Sequence, residues 1–202
     1  MIPTYKEIVS VIAIFITFIA FIPYIRSILR GETKPHAFSW IIWASVTFII
    51  FLAQLADKGG AGAWPIGVSG IITLYVAILA YLKKSDIEIT KKDWGFLIVA
   101  MTALPFWYFT SNPLWAVVVL TAVDLTGFAP TFRKAYHHPY EEQLLFYFLM
   151  TSRNLLVIVA LENYSLTTIL FPAATALVCI LLIQMVLKRR TILNNKLKKD
   201  IP

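Results

Sequence analysis

The chain has 202 residues, of which 59% are hydrophobic and only 14% are charged. A water-soluble domain carries about a quarter charged residues, so the composition excludes an ordinary soluble protein and favours an integral membrane protein. The net charge of +7 would suit a nucleic-acid-binding protein, but the basic residues cluster at the ends of apolar segments, which argues against that class.

Seven apolar segments follow one another along the chain, and we predict that each is a transmembrane helix. Most have nearly the ~20 residues that a helix needs to cross about 30 Å of hydrocarbon. The fourth is the shortest and contains Pro105. None alternates with the two-residue period of a barrel strand. The predicted spans are 8–25, 38–55, 64–82, 94–109, 114–132, 144–161 and 166–187.

The basic residues predict the orientation of these spans. Fifteen of the 18 Lys and Arg residues follow the first, third, fifth and seventh spans, on one side of the membrane. The other side has only Lys6 and Lys58, and Arg153 lies inside the sixth span. The positive-inside rule therefore predicts an outside N-terminus and a cytoplasmic C-terminus, with the lipid bilayer as a partner and no nucleic acid.

A short pattern occurs twice in the chain. Pro-Tyr-Ile-Arg at 23–26 is followed 107 residues later by Pro-Thr-Phe-Arg at 130–133. Two copies in the same order, separated by an odd number of spans, face the same way in a bilayer, as in transporters with parallel repeats. The same offset aligns Ser45 with Ser152, Ala53 with Ala160 and Pro65 with Pro172.

The repeat predicts an all-α membrane protein with a 3+1+3 plan. Three helices form the first bundle, a linker helix follows, and three equivalent helices form the second bundle. The predicted boundaries are 1–84 for the first triple-helix bundle, 85–110 for the linker, 111–190 for the second bundle and 191–202 for a basic cytoplasmic tail.

A span that ends in Pro-x-x-Arg, then a polar loop, then a span with an aromatic-rich start resembles the PQ-loop and SWEET-like (MtN3-type) superfamily. The resemblance covers about residues 8–187, although the family's Pro-Gln pair is replaced here by Pro-Tyr and Pro-Thr. It implies transport of a small polar metabolite, of the sugar, amino-acid or vitamin-precursor class, by alternating access between the two bundles. The alternative is a membrane receptor or sensor that binds a ligand on the same scaffold without transporting it.

Two charged residues lie deep in the predicted spans. Asp124, in the fifth span, costs about 2.5–3.5 kcal/mol to insert, so it is expected to face a cavity or a partner. Its repeat equivalent is Thr17. Asp124 suits proton coupling, contact with a polar substrate, or a structural ion pair with Arg153 of the sixth span. An arginine that faces the cavity instead suits a carboxylate or phosphate group. The sequence leaves these alternatives open.

Other polar and aromatic residues complete the predicted site. Asn154 follows Arg153 in the sixth span, and their repeat equivalents are Thr47 and Val46. Trp40 suits an interfacial aromatic belt, whereas Trp43, one turn deeper, suits stacking on a planar or sugar-like substrate. We predict that one wall of the central cavity carries the charged and amide side chains of Asp124, Arg153 and Asn154. The opposite wall carries the ring of Trp43 and the hydroxyls of Thr17 and Thr47.

Four prolines at equivalent positions have two predicted roles. Pro23 and Pro130 lie near the cytoplasmic ends of their spans, where kinks would serve as hinges for an inner gate. Pro65 and Pro172 are each expected to begin a helix, where proline is well tolerated.

The sequence contains no pattern that predicts an enzyme, a cofactor or a metal site. We find no HExxH, no Gly-rich phosphate loop and no nucleophile elbow, and one deep acid is too few for most hydrolytic designs. The single cysteine, Cys179, is expected to be a core residue. Whether copies of the chain associate as a homo-oligomer stays open.

Overall fold

A computed structural model describes residues 3–31, 37–83, 91–142 and 144–199, and these residues are helical without a strand. The predicted all-α class is therefore confirmed. Short 3-10 helices occur at Gly60–Ala63 and Pro139–Glu141. The α-helices are α1 (Tyr5–Leu29), α2 (Ala37–Ala56), α3 (Trp64–Leu82), α4 (Lys91–Thr110), α5 (Pro113–His137), α6 (Leu144–Ala160) and α7 (Leu166–Lys199).

Within the described residues, three helices are long and apolar enough to cross a membrane, which is compatible with a membrane localisation. They are Tyr5–Leu29, Gly60–Leu82 and Leu166–Asn195. Four shorter apolar helices accompany them: Trp40–Ala56, Leu97–Thr110, Pro113–Phe128 and Leu144–Ala160.

The last helix, α7, reaches into the predicted tail. This helix continues to Lys199, so residues 191–199 of the predicted tail extend α7 as a helix. The predicted boundary between 84 and 85 lies outside the described residues. The prediction that Pro172 begins a helix is wrong, because α7 begins six residues earlier at Leu166.

Reciprocal capping explains the early start of α7. The backbone N–H of Thr168 donates to the Ser165 hydroxyl oxygen (3.3 Å), and the backbone N–H of Ser165 donates to the Thr168 hydroxyl oxygen (3.0 Å). These bonds satisfy donors that a helix start leaves without partners, so the helix does not need proline at its first position.

Pro172 then removes a hydrogen bond inside α7, and a side chain from α2 replaces it. Proline has no N–H, so the carbonyl of Thr168, four residues earlier, lacks its usual helical donor. The side-chain amide of Gln54, which is fully buried, donates from Nε2 to this carbonyl at 2.8 Å. A proline of α7 and a glutamine of α2 are therefore coupled through one backbone oxygen.

The helices pack in a regular pattern. α3 contacts both α1 and α2, and these three helices are called the first helix group. α7 contacts both α5 and α6, and these three are called the second helix group. Between these two groups α1 packs on α6 and α2 packs on α5, while α4 lies mainly against α5. Exchanging α1 with α5, α2 with α6 and α3 with α7 leaves the main contacts among these six helices unchanged, whereas α4 packs on α5 and α2 without equivalent contacts on α1 and α6 among the described residues. Fully buried small residues let the helices approach closely: Ala13, Ala53, Ala100, Ala103 and Ala116.

Candidate functional site

Asp124 lies near the middle of α5 and faces the interior of the helix assembly. Leu120, Gly127 and Phe128 share its stripe of α5, because residues three and four apart lie on one helix face. Leu120 is fully buried in a cluster that includes residues of α2. Phe128 packs in a second cluster with residues of α1 and α6. The carboxylate is partly exposed and receives no hydrogen bond from the described residues.

Arg153 of α6 is 97% buried and reaches towards α3. Its Nη2 donates to the backbone carbonyl of Pro65 at 2.8 Å, and its Nη1 donates to Oδ1 of Asn154 at 3.0 Å. Its Nε–H is buried without an acceptor among the described residues. A buried donor without an acceptor loses its hydration and gains nothing in return.

The two charged side chains attract each other without forming an ion pair. Each acts electrostatically on the other, but no nitrogen of Arg153 lies within 4.0 Å of a carboxylate oxygen of Asp124. Cys179, a buried residue of α7, also lies within the electrostatic range of Asp124. The direct structural ion pair that the sequence allowed is therefore not formed.

The uncharged polar residues of the predicted site bond mainly within their own helices. Asn154 is fully buried and donates from Nδ2 to the Met150 carbonyl at 2.9 Å. The hydroxyls of Thr17 and Thr47, both buried, donate to the carbonyls four residues earlier, at 2.9 Å and 2.7 Å. Each hydroxyl keeps lone pairs that can accept a bond, but neither has a donor to spare.

Trp43 of α2 lies directly over α5. A Cβ at Gly127 would sit 3.3 Å from the indole Nε1, so the absent side chain leaves room for the ring. Gly127 is one turn from Asp124, which brings the indole close to the carboxylate's stripe of α5. No acceptor for the indole N–H is found among the described residues.

Aromatic rings close the assembly on one side of this region. Phe21 of α1 meets Phe146 of α6 edge to face, with centroids 6.2 Å apart, and meets Trp40 of α2 at 6.4 Å. Trp40 also stacks on Tyr24 at 5.2 Å. Trp40 is therefore part of a ring cluster with Phe21 and Tyr24. We call this side of the molecule the Tyr140 end, after the 3-10 helix at Pro139–Glu141.

Backbone and side-chain hydrogen bonds close the opposite side, which we call the Gly59 end. The loop after α6 donates from the Glu162 N–H to the Gly59 carbonyl at 3.1 Å. Asn163 donates from Nδ2 to the Asp57 carbonyl at 2.8 Å, and the Ser165 hydroxyl donates to the Asp57 carboxylate. These bonds join the loop between α2 and α3 to the loop between α6 and α7.

The two predicted hinge prolines both lie within helices. Pro23 lies in the last third of α1, where it deprives the Ile19 carbonyl of its helical donor. Pro130 lies in α5 by its backbone, and its side chain is outside the described part of the chain.

The structure adds four residues that were not in the site predicted from the sequence: Gln54, Thr121, Gly127 and Thr151. The hydroxyls of Thr121 and Thr151 are buried without a hydrogen-bond partner in the described part of the chain, as is Oε1 of Gln54. Thr121 lies one turn before Asp124, so a search for polar residues at helical spacing from the acid would have found it. The role of Gly127 has no such signal, because it depends on which residue of another helix lies opposite.

Trp43 of α2 lies over Gly127, one turn from Asp124 of α5, and Asp124 lies within the electrostatic range of Arg153 of α6. No group of three His, Cys, Asp or Glu side chains that could hold a metal occurs in the described ranges. Comparisons of the chain with protein-family models, with curated proteins and with solved structures found no match.

Proposed function

We propose that the chain is a seven-span membrane transporter for a small polar metabolite. In this proposal α1–α3 and α5–α7 form two parallel triple-helix bundles, α4 links them, and access to the site alternates as the bundles rock against each other. The symmetric pattern of helix neighbours supports the two-bundle plan. The prolines 23 and 130, at equivalent positions of α1 and α5, are the proposed hinges.

The single observation that carries the proposal is the state of Asp124 and Arg153. Each is an ionisable group within apolar helices, and they do not pair with each other; Arg153 is 97% buried and Asp124 is half-buried. Leaving a charge unpaired in an apolar interior is costly, so a purely structural pair would have closed to contact distance. Groups held apart at the junction of the two bundles suit a substrate that completes them.

Closure at both ends supports alternating access. The ring cluster at the Tyr140 end and the loop hydrogen bonds at the Gly59 end both join the first helix group to the second. The Arg153–Pro65 bond also crosses between the groups. Opening the site to either side of the membrane then means breaking one set of contacts while the other holds.

The basic residues orient the proposed transporter. We place the N-terminus and the Gly59 end outside the cell, and the C-terminus and the Tyr140 end in the cytoplasm. The cytoplasmic extension of α7 carries Lys188, Arg189 and Arg190, which suits a position next to anionic lipid.

Uptake into proteoliposomes tests the proposal. Protein purified in detergent is screened against metabolites by thermal shift, and every compound that stabilises it is then tested for uptake with a labelled form. We expect Asp124→Asn to lower the initial rate of uptake by about tenfold or more, because a charge-assisted hydrogen bond to the substrate is lost. Glu7→Gln is the matched control, because glutamine keeps the capping box at the start of α1.

Two results would contradict the proposal. Binding without uptake by any stabilising compound would indicate a receptor or sensor. If Asp124→Asn and Arg153→Ala abolish expression while the charge-swapped Asp124→Arg, Arg153→Asp protein folds and is fully active, the two residues are a structural pair and the site lies among uncharged residues.

A further inference from the structure

The hydrogen-bonding capacity that the site leaves unused indicates the chemistry of its ligand. Among the described residues, two strong donors have no acceptor: the Nε–H of Arg153 and the indole N–H of Trp43. One strong acceptor has no donor there, the carboxylate of Asp124. A ligand that satisfies all three offers an acceptor for the two N–H groups and a donor for the carboxylate.

The other polar groups near Asp124 are already hydrogen-bonded or can act as either donor or acceptor. The guanidinium uses its other two nitrogens on Pro65 and Asn154. The amide of Asn154 is bonded on both its oxygen and its nitrogen. The Thr121 hydroxyl, one turn from Asp124, has no partner in the described ranges and can either donate or accept. The specific requirement therefore rests on Asp124, Arg153 and Trp43.

The charges set a second condition, which concerns the net charge of the ligand. The guanidinium of Arg153 and the carboxyl group of Asp124 carry opposite charges when both are ionised, and they do not lie within 4.0 Å of each other. A net-charged ligand would neutralise one of them and leave the other uncompensated in a low-dielectric interior. An uncharged polyol can hydrogen-bond to both side chains, but it brings no counter-charge to either of them in that interior.

We propose that the site binds a small zwitterion that carries an ammonium group and a carboxylate on the same or neighbouring carbon atoms. The ammonium group donates to Asp124, and the carboxylate accepts from Arg153 Nε–H and Trp43 Nε1–H. The inference rests on the proposed transport function, since it names the substrate class of that same site. Three other classes of ligand are excluded: anions such as phosphate esters, amines without a carboxylate, and sugars.

A set of matched probes tests the charge requirement on the full-length protein in detergent. Each of the twenty standard amino acids is compared with its amide, which keeps only the ammonium group, and with its 2-hydroxy acid, which keeps only the carboxylate. Glucose and sucrose serve as uncharged probes. The readout is the concentration dependence of the thermal midpoint, which gives an apparent Kd for each compound.

We expect at least one amino acid to bind, and its amide and hydroxy acid to bind about tenfold more weakly or worse, since each lacks one of the two charges that complement the site. Asp124→Asn should weaken the amino acid by about tenfold or more while affecting the hydroxy acid less, because the hydroxy acid has no ammonium group. Trp43→Phe keeps a ring and removes the N–H, so it should weaken the amino acid and the hydroxy acid alike. Glu7→Gln should change none of these values.

The outcomes separate this inference from the transport proposal. If a sugar or an anion binds and is taken up while no amino acid binds, the zwitterion is wrong and transport stands. If an amino acid binds with the expected pattern but is not taken up, the zwitterion stands and transport is wrong. Equal affinity for an amino acid and its amide would overturn the inference even with uptake. If no probe binds and none is taken up, both proposals fail.

Discussion

Gln54 and Pro172 allow a double-mutant cycle that tests how the first helix group packs against the second. The Thr168 carbonyl has no helical donor because residue 172 is proline, and the Gln54 amide takes its place at 2.8 Å. Gln54→Leu removes that donor and leaves the carbonyl orphaned. Pro172→Ala restores a backbone N–H four residues after Thr168, so the carbonyl no longer depends on Gln54.

The structure indicates why the single substitution alone is not decisive. Gln54 is fully buried, and its Oε1 has no donor among the described residues, so leucine removes one useful and one costly polar atom. An unsatisfied buried group costs about 1–3 kcal/mol, and the two effects partly cancel. The coupling free energy between the two sites isolates the hydrogen bond. Interhelical hydrogen bonds in membranes contribute about 0.6–1.7 kcal/mol, so we expect a coupling in that range.

The assay is the reversible unfolding of the four proteins in mixed micelles, followed by circular dichroism. Gln54→Leu should destabilise the protein that keeps Pro172 more than it destabilises the Pro172→Ala variant, and the difference is the coupling free energy. If the leucine substitution has the same effect in both backgrounds, within the about 0.5 kcal/mol expected of independent sites, then Gln54 does not bond Thr168 and the packing of α2 against α7 is wrong.

Three further predictions follow from other parts of the molecule. A C-terminal fluorescent reporter should be active in the cytoplasm and a C-terminal alkaline phosphatase inactive; the reverse would refute the orientation. Gly62→Ala should lower the free energy of unfolding by about 1–3 kcal/mol, since the added Cβ would lie 2.6 Å from the Leu161 nitrogen. Gly70→Ala, whose Cβ would have its nearest atom at 3.6 Å, should be neutral or stabilise the protein by up to about 1 kcal/mol. Equal effects of the two substitutions would contradict the close approach at Gly62. Arg190→Ala should speed proteolysis of the loop between α5 and α6, because Arg190 donates to the carbonyls of Pro139 and Glu142, and Lys188→Ala is the control that should not.

The helical class and the approximate position of each helix could be predicted from the sequence because they depend on local properties. A run of about 20 apolar residues has to bond its own backbone to enter a membrane, and only a helix does so within one segment. Asp124 and Arg153 were equally visible, since a charge inside an apolar run is conspicuous whatever surrounds it. The 107-residue offset predicts that α1–α3 are equivalent to α5–α7, and this equivalence stays a prediction.

The apolar run predicted the start of α7 at residue 166, whereas the proline by itself suggested a start at residue 172. Proline is well tolerated in the first turn, so Pro172 was a reasonable marker. The hydroxyls of Ser165 and Thr168 cap an earlier start, and the carbonyl that Pro172 leaves without a donor is bonded by Gln54, which is 114 residues away from Thr168. The cost of a proline inside a helix is thus offset by a contact that no local pattern contains.

The sequence by itself predicted the helices of this chain and the two ionisable residues within its apolar segments. Only the tertiary structure decided what those charges do. Arg153 bonds the Pro65 carbonyl, 88 residues distant, and Trp43 lies over Gly127 because the rotation of α2 against α5 brings them together. Such contacts depend on the packing of helices that are far apart in the chain, and an apolar sequence permits many packings. The separation of Asp124 from Arg153, on which the proposed site rests, is a consequence of that packing.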